Sequence, residues 1–326
     1  MRYRRGAIIS LLLLGTCSEE MRQGEAPGLE TSHLALGVVP ASEVAVWQRM
    51  GGSSNPDGRY LQAAAFDEDR KVFVMFGGAV MESMRGQAQP SQETWEWNPV
   101  DGRWSNRTGT GASPSSRSGA AMVYLSEQKK FLLFGGRAGS GFNYEDTWSW
   151  DPATGAWTDL TTSGDHPSVR GQHAMAYEKS TKKVLLFGGA RGTSSYYTGA
   201  EASVSLGDTW EWDPATATWS ARSVTGGPSA RHDFGMVWDS GRNRVVLFGG
   251  MSMDIAGATG AVKQDVWDWD PQAGTWTEKT PSGNKPRPRY GHAAAFDASR
   301  GKTLVFGGVD IDTGELLNEL WEWDGA

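Results

Sequence analysis

A chain of 326 residues with 43 Gly, 14 Pro and 16 Trp does not suit a helical protein and does suit many short strands joined by tight turns. Its formal charge of -7 argues against a general affinity for nucleic acid or anionic lipid, and no Gly-rich loop opens a helix to hold a phosphate. The single cysteine, Cys17, excludes an intramolecular disulfide.

The first seventeen residues have the layout of an export leader. Arg2, Arg4 and Arg5 form a basic start, Ala7 to Leu14 is apolar, and Leu14-Gly15-Thr16-Cys17 follows. The apolar run is too short to cross a bilayer. The stretch resembles a bacterial lipoprotein signal, which implies lipidation at Cys17 and a cell-envelope address. Thr16 stands where such signals carry Gly, Ala or Ser, so simple cleavage and secretion is the other outcome. Membrane contact is expected only through that anchor. Residues 18–43 are polar and patternless, as a tether is, and the folded unit is expected over 44–326.

That unit repeats itself. After an isolated Trp47, the triplet Phe-Gly-Gly occurs with Phe at 76, 134, 187, 248 and 306. Seventeen residues before each Phe stands an arginine: Arg59, Arg117, Arg170, Arg231 and Arg289. A Trp-x-Trp pair follows each triplet, from Trp95/Trp97 to Trp321/Trp323, with an acid two residues ahead: Glu93, Asp146, Asp208, Asp265 or Glu319. A later tryptophan follows the second Trp by seven at 104, 157, 219 and 276. The fifth would fall beyond residue 326, and Trp47 supplies it. Each unit reads as four strands. An Ala/Gly-rich strand runs from the arginine to an aromatic, and a continuous apolar strand buried on both faces ends at the glycines. Trp-x-Trp alternates as a third strand, and a turn such as Asp151-Pro152-Ala153-Thr154-Gly155 leads to the fourth.

Four-stranded units recurring at this interval point to a β-propeller. The triplet, the acid before Trp-x-Trp and the later Trp resemble the kelch repeat, over roughly residues 45 to 324. The resemblance implies an all-β, five-bladed propeller of four-stranded antiparallel blades, closed by an N-terminal strand (Ala45 to Met50) paired into the last blade. It also implies kinship with the central-domain superfamily of galactose oxidase, without the copper site, because that cofactor needs a cysteine inside the propeller.

All length variation between repeats falls on one face, in the connections from the second strand to the third and from blade to blade. Binding is expected there. The candidate ligand contacts are Tyr60, Tyr144, Tyr196, Tyr197 and Tyr290, with Phe142 beside them. Some kelch domains resemble this chain in carrying arginine at the start of the first strand, where it grips acidic peptides. That adds Arg59, Arg117, Arg170, Arg231 and Arg289 as ligand contacts. The competing reading pairs these five with the five acids, because neighbouring unpaired charges about 8 Å apart would repel by roughly 2 kcal/mol. His173 and His292 occupy equivalent places and read as polar lining of the channel, with no metal cage. Asp310 to Glu315 reads as a solvated acidic loop. No cofactor is expected. The function this favours is a monomeric binding module for a protein or glycan. The alternative is a carbohydrate-active enzyme on the same face, for which Asp233, Glu82, Glu201 and Asp254 are the available carboxylates. A purely structural envelope role is the third reading.

Overall fold

The computed structural model describes residues 55–81, 88–192, 204–253 and 261–325. Cys17, the tether, Trp47, Tyr196 and Tyr197 lie outside these residues, as do Glu82, Glu201 and Asp254. Among the described residues every regular element is a β-strand. The first sheet holds Ala63–Asp67, Val72–Phe76, Thr94–Asn98 and Arg103–Asn106. The second holds Ala121–Leu125, Lys130–Phe134, Thr147–Asp151 and Ala156–Asp159. The third holds Ala174–Glu178, Lys183–Phe187, Thr209–Asp213 and Thr218–Arg222. The fourth holds Gly235–Asp239, Arg244–Phe248, Val266–Asp270 and Thr275–Glu278. The fifth holds Ala293–Asp297, Lys302–Phe306 and Leu320–Trp323, and the segment expected to add its fourth strand lies outside the described residues. Each sheet is an antiparallel meander.

The repeated residues explain the meander. The apolar second strand is covered on both faces, so Leu132, Leu133, Leu185 and Leu186 are fully buried. In the first four sheets the second Trp of Trp-x-Trp pairs across the ladder with the later Trp, as Trp150 does with Trp157 and Trp212 with Trp219. In the second, third and fourth sheets the later Trp also reaches back to the sheet before its own. Trp157 meets Phe76 edge-on at 4.9 Å and donates its indole N–H to Thr94 Oγ1 at 3.1 Å. Trp219 does the same with Phe134 and Thr147, and Trp276 with Phe187 and Thr209. The glycines of the triplet let backbones close up: a Cβ on Gly188, where φ is 63°, would lie 2.7 Å from the Arg231 carbonyl oxygen.

The first strands begin four residues after each arginine, later than the pattern predicts. The cause is the residue two after the arginine, which has φ between 55° and 66° in all five repeats: Leu61, Gly119, Gln172, Asp233 and Gly291. A left-handed residue cannot continue a strand. These five form an inner row, in which the N–H of Gly119, Gln172, Asp233 and Gly291 each donates to the carbonyl of the row member in the preceding repeat. The first strands then pack side by side in sequence order.

At the same end of the sheets, short ribbons stiffen the connections from second to third strand. Arg59–Tyr60, Ala79–Val80 and Gln89–Pro90 form one, Ala190–Arg191 with Val204–Ser205 another, and Met251–Ser252 with Ala261–Val262 a third.

Candidate binding site

Each arginine is paired with the acid of its own repeat. The closest contacts are 2.6 Å for Arg59–Glu93 and 2.7 Å for Arg170–Asp208, Arg231–Asp265 and Arg289–Glu319. Arg117 grips Asp146 with both terminal nitrogens. One terminal nitrogen of every guanidinium also donates to the carbonyl of the first triplet glycine: Gly77, Gly135, Gly188, Gly249 or Gly307. The acid in turn accepts the indole N–H of the first Trp in Trp-x-Trp, from Trp95 on Glu93 to Trp321 on Glu319. This double use accounts for the fixed spacing of acid and Trp. Burial pushes the Asp208 carboxyl up, but the hydrogen bonds and charge of Arg170 and the Trp210 indole more than reverse it, leaving it below the usual range.

The five arginine side chains are at most 3% exposed, whereas that of Asp208 is 41% exposed. A ligand arriving there meets the carboxylates first. Of the tyrosines, Tyr144 lies with its ring 4.0 Å from the Arg117 guanidinium carbon. Tyr60 pairs with Ala79 through the backbone and is half-buried, and Tyr290 is buried. Phe142, at 69% exposure, is the most open aromatic among the described residues.

The expectation that His173 and His292 line a channel is corrected. Both lie between sheets, edge-on to Phe134 and Phe248 at 5.6 and 5.2 Å. Phe234 fills the equivalent place against Phe187. His292 Nε2 accepts the Gly235 N–H, while neither ring nitrogen of His173 has a partner among the described residues. Burial, with the charge of a neighbouring arginine, pulls both rings down to about 3.

The polar side chains that do converge on the inner row belong to the second, third and fourth repeats. Gln172 Nε2 donates to Asp233 Oδ2 at 2.8 Å, across two sheets. His232 Nε2 stands 3.9 Å from the same oxygen, and His232 Nδ1 is 3.0 Å from Ser205 Oγ. Ser205 Oγ also accepts the Met253 N–H. Arg137 acts on both His232 and Asp233 through its charge, and its Nε donates to Asn143 Oδ1. Burial pushes the Asp233 carboxyl up against the opposing pull of His232, Gln172 and Arg137. Although Ser205, His232 and Asp233 are the residue types of an acyl-transfer triad, the geometry is not. The His–Asp separation exceeds hydrogen-bond reach and the serine oxygen is buried under a backbone amide.

Sequence reasoning singled out Asp233 but missed Gln172, Ser205, Arg137 and Asn143. A signal existed. Arg137 directly follows a triplet and Gln172 is two residues past an arginine, positions at which the backbone repeats and the side chain does not.

Antiparallel four-stranded sheets that share one buried signature, and that display unlike residues at one end, define a repeat scaffold. Residues 43–250 match the KLHDC2/KLHL20/DRC7 kelch-repeats domain, and the chain belongs to that family. It is similar to the Rab9 effector protein with kelch motifs of Xenopus laevis, 26% identical over 65% of this chain and 54% of that protein. It is similar to the Kelch domain-containing protein 2 of Homo sapiens, 26% identical over 64% and 54%. Acyl-CoA-binding domain-containing protein 4 of Arabidopsis thaliana is 25% identical over 79% of this chain and 36% of that protein. The chain thus matches about half or less of the length of these relatives.

Proposed function

We propose that this chain is a protein-interaction module. It binds a partner segment on the end of the sheets that carries the variable connections, centred on the inner-row cluster of Gln172, His232 and Asp233. One observation carries the reading: where the backbone repeats in all five units, at one and two residues past each arginine, the side chains are Tyr60-Leu61, Ser118-Gly119, Gly171-Gln172, His232-Asp233 and Tyr290-Gly291. A fixed frame presenting unlike groups is how a scaffold encodes recognition. The buried, paired arginines belong to the frame under this reading, and Phe142 and Tyr144 to the contact surface.

Panning a peptide display library tests it. Selected binders should be lost on Phe142→Glu and kept on Val100→Glu, an 87% exposed position in the turn at the opposite end of the first sheet. Loss on Val100→Glu with retention on Phe142→Glu would assign the other end.

A further inference from the structure

Three of the five residues of the inner row, Leu61, Gln172 and Asp233, hold a backbone conformation that glycine holds without strain. Gly119 and Gly291 show that glycine serves this position and makes the same backbone hydrogen bond. Gln172 and Asp233 adopt φ of 58° and 55° instead, at a conformational cost. Their shared feature is the side chain, for the two meet across the third and fourth sheets. That bond also orients the amide: its NH2 points at Asp233 Oδ2, so Gln172 Oε1 and Asp233 Oδ1 are left as acceptors. Among the described residues Asp233 accepts this single side-chain hydrogen bond, with a side chain 8% exposed. A carboxylate so desolvated and so thinly satisfied is costly, and structure alone does not need it.

The geometry points to a binding site for one cationic nitrogen group, a lysine ammonium or arginine guanidinium of a partner segment, received by Asp233 Oδ1 and Gln172 Oε1. This rests on the reading of the surrounding face as the partner-binding surface. Two adjacent acceptors, one of them charged, repel a carboxylate and reward a charged donor. The groups facing Asp233 bear on that preference. His232 stands 3.9 Å away and burial holds its imidazole below the usual range, favouring the neutral ring. Tyr290 lies within reach of the Asp233 charge, which with burial pushes its hydroxyl up. Among the described residues Arg137 is the fixed positive charge that acts on both His232 and Asp233. Its Nε is held to Asn143 Oδ1, and its charge opposes an incoming cation. Binding would draw Asp233 to its ionised form, so affinity falls as pH drops.

The test uses the tripeptides acetyl-Gly-Xaa-Gly-amide, with Xaa as Lys, Arg, Gln or Glu, at up to about 10 mM, the range of a single anchoring contact. The readout is the side-chain NH2 resonance of Gln172, assigned with Gln172→Gly. Lys and Arg should shift it and Glu should not, with binding weaker at pH 4 than at pH 7 and reduced about tenfold or more in Asp233→Asn. Equal shifts with Lys and Glu, or none with any peptide, overturn the site. The double variant Gln172→Gly/Asp233→Gly gives a ligand-free check. Removing a strained, buried pair kept for binding should raise the melting temperature by about 2 °C or more, whereas a fall of that size marks the pair as structural. If panned peptides are lost on Phe142→Glu yet bind Asp233→Asn unchanged, the face stands and this site falls.

Discussion

At position 178 a glutamate takes the place that an aspartate fills in three other sheets. Asp67, Asp239 and Asp297 are each paired with an arginine three residues on. Glu178 is fully buried, with Oε1 accepting the Trp269 indole N–H at 2.7 Å and Oε2 accepting Thr181 at 2.6 Å. Burial, with the Glu211 charge adding to it, pushes its carboxyl up to about 7 from 4.5, against the pull of Thr181, Trp269 and Arg222. A folded-state value above the unfolded one favours the protonated form. Its contribution is therefore full below pH 4.5 and is lost as pH rises through about 7. His173 works the other way: held down to about 3 from 6.5, it contributes above pH 6.5 and loses that as pH falls toward 3. Urea midpoints across pH should show Glu178→Gln gaining up to roughly 3 kcal/mol at pH 8–9 and little at pH 4.5. His173→Phe, which copies the ring that Phe234 sets against Phe187, should flatten the acid side only. Unchanged curves for both would sink this account.

At the scale of elements, the indole–threonine contact joins neighbouring sheets. Thr147→Val leaves the Trp219 N–H buried and unpaired, and should cost about 1–3 kcal/mol; Trp219→Phe removes the donor, and the double variant should cost less than the sum. A strictly additive cycle, read from denaturant midpoints, would refute the contact. Val266 stands at the equivalent position of the fourth sheet, so that sheet offers no such acceptor. Strands, tryptophan pairs and arginine–acid pairs were legible in the sequence because each recurs in fixed register, and repetition averages out local ambiguity. The starts of the first strands were not, because Leu61, Gln172 and Asp233 carry no mark of their left-handed backbone. The contact between Gln172 and Asp233 was hidden for a different reason: it joins residues 61 apart and occurs once. His173 misled because a ring that serves as a packing surface looks, in sequence, like a polar group.

For the whole molecule, the fifth sheet has three strands among the described residues where the others have four. The socket that Phe134 and Thr147 make for Trp219 has its counterpart at Phe248 and Val266. We propose that Ala45 to Met50 supplies the missing strand and Trp47 fills that socket, which completes a five-bladed ring. Deleting residues 43 to 50 should then lower the melting temperature by about 5 °C or more and reduce solubility, since an open sheet edge would be left. A melting temperature equal to that of the full chain would exclude this closure.

The backward reach of Trp157, Trp219 and Trp276 gives the assembly a polarity. Among the described residues the first three sheets are each latched by the tryptophan of their successor, so a disturbance in the fourth strand of the third repeat reaches Phe134 and Thr147 in the second. Damage should travel toward the N-terminal repeats, while those downstream keep their own latches.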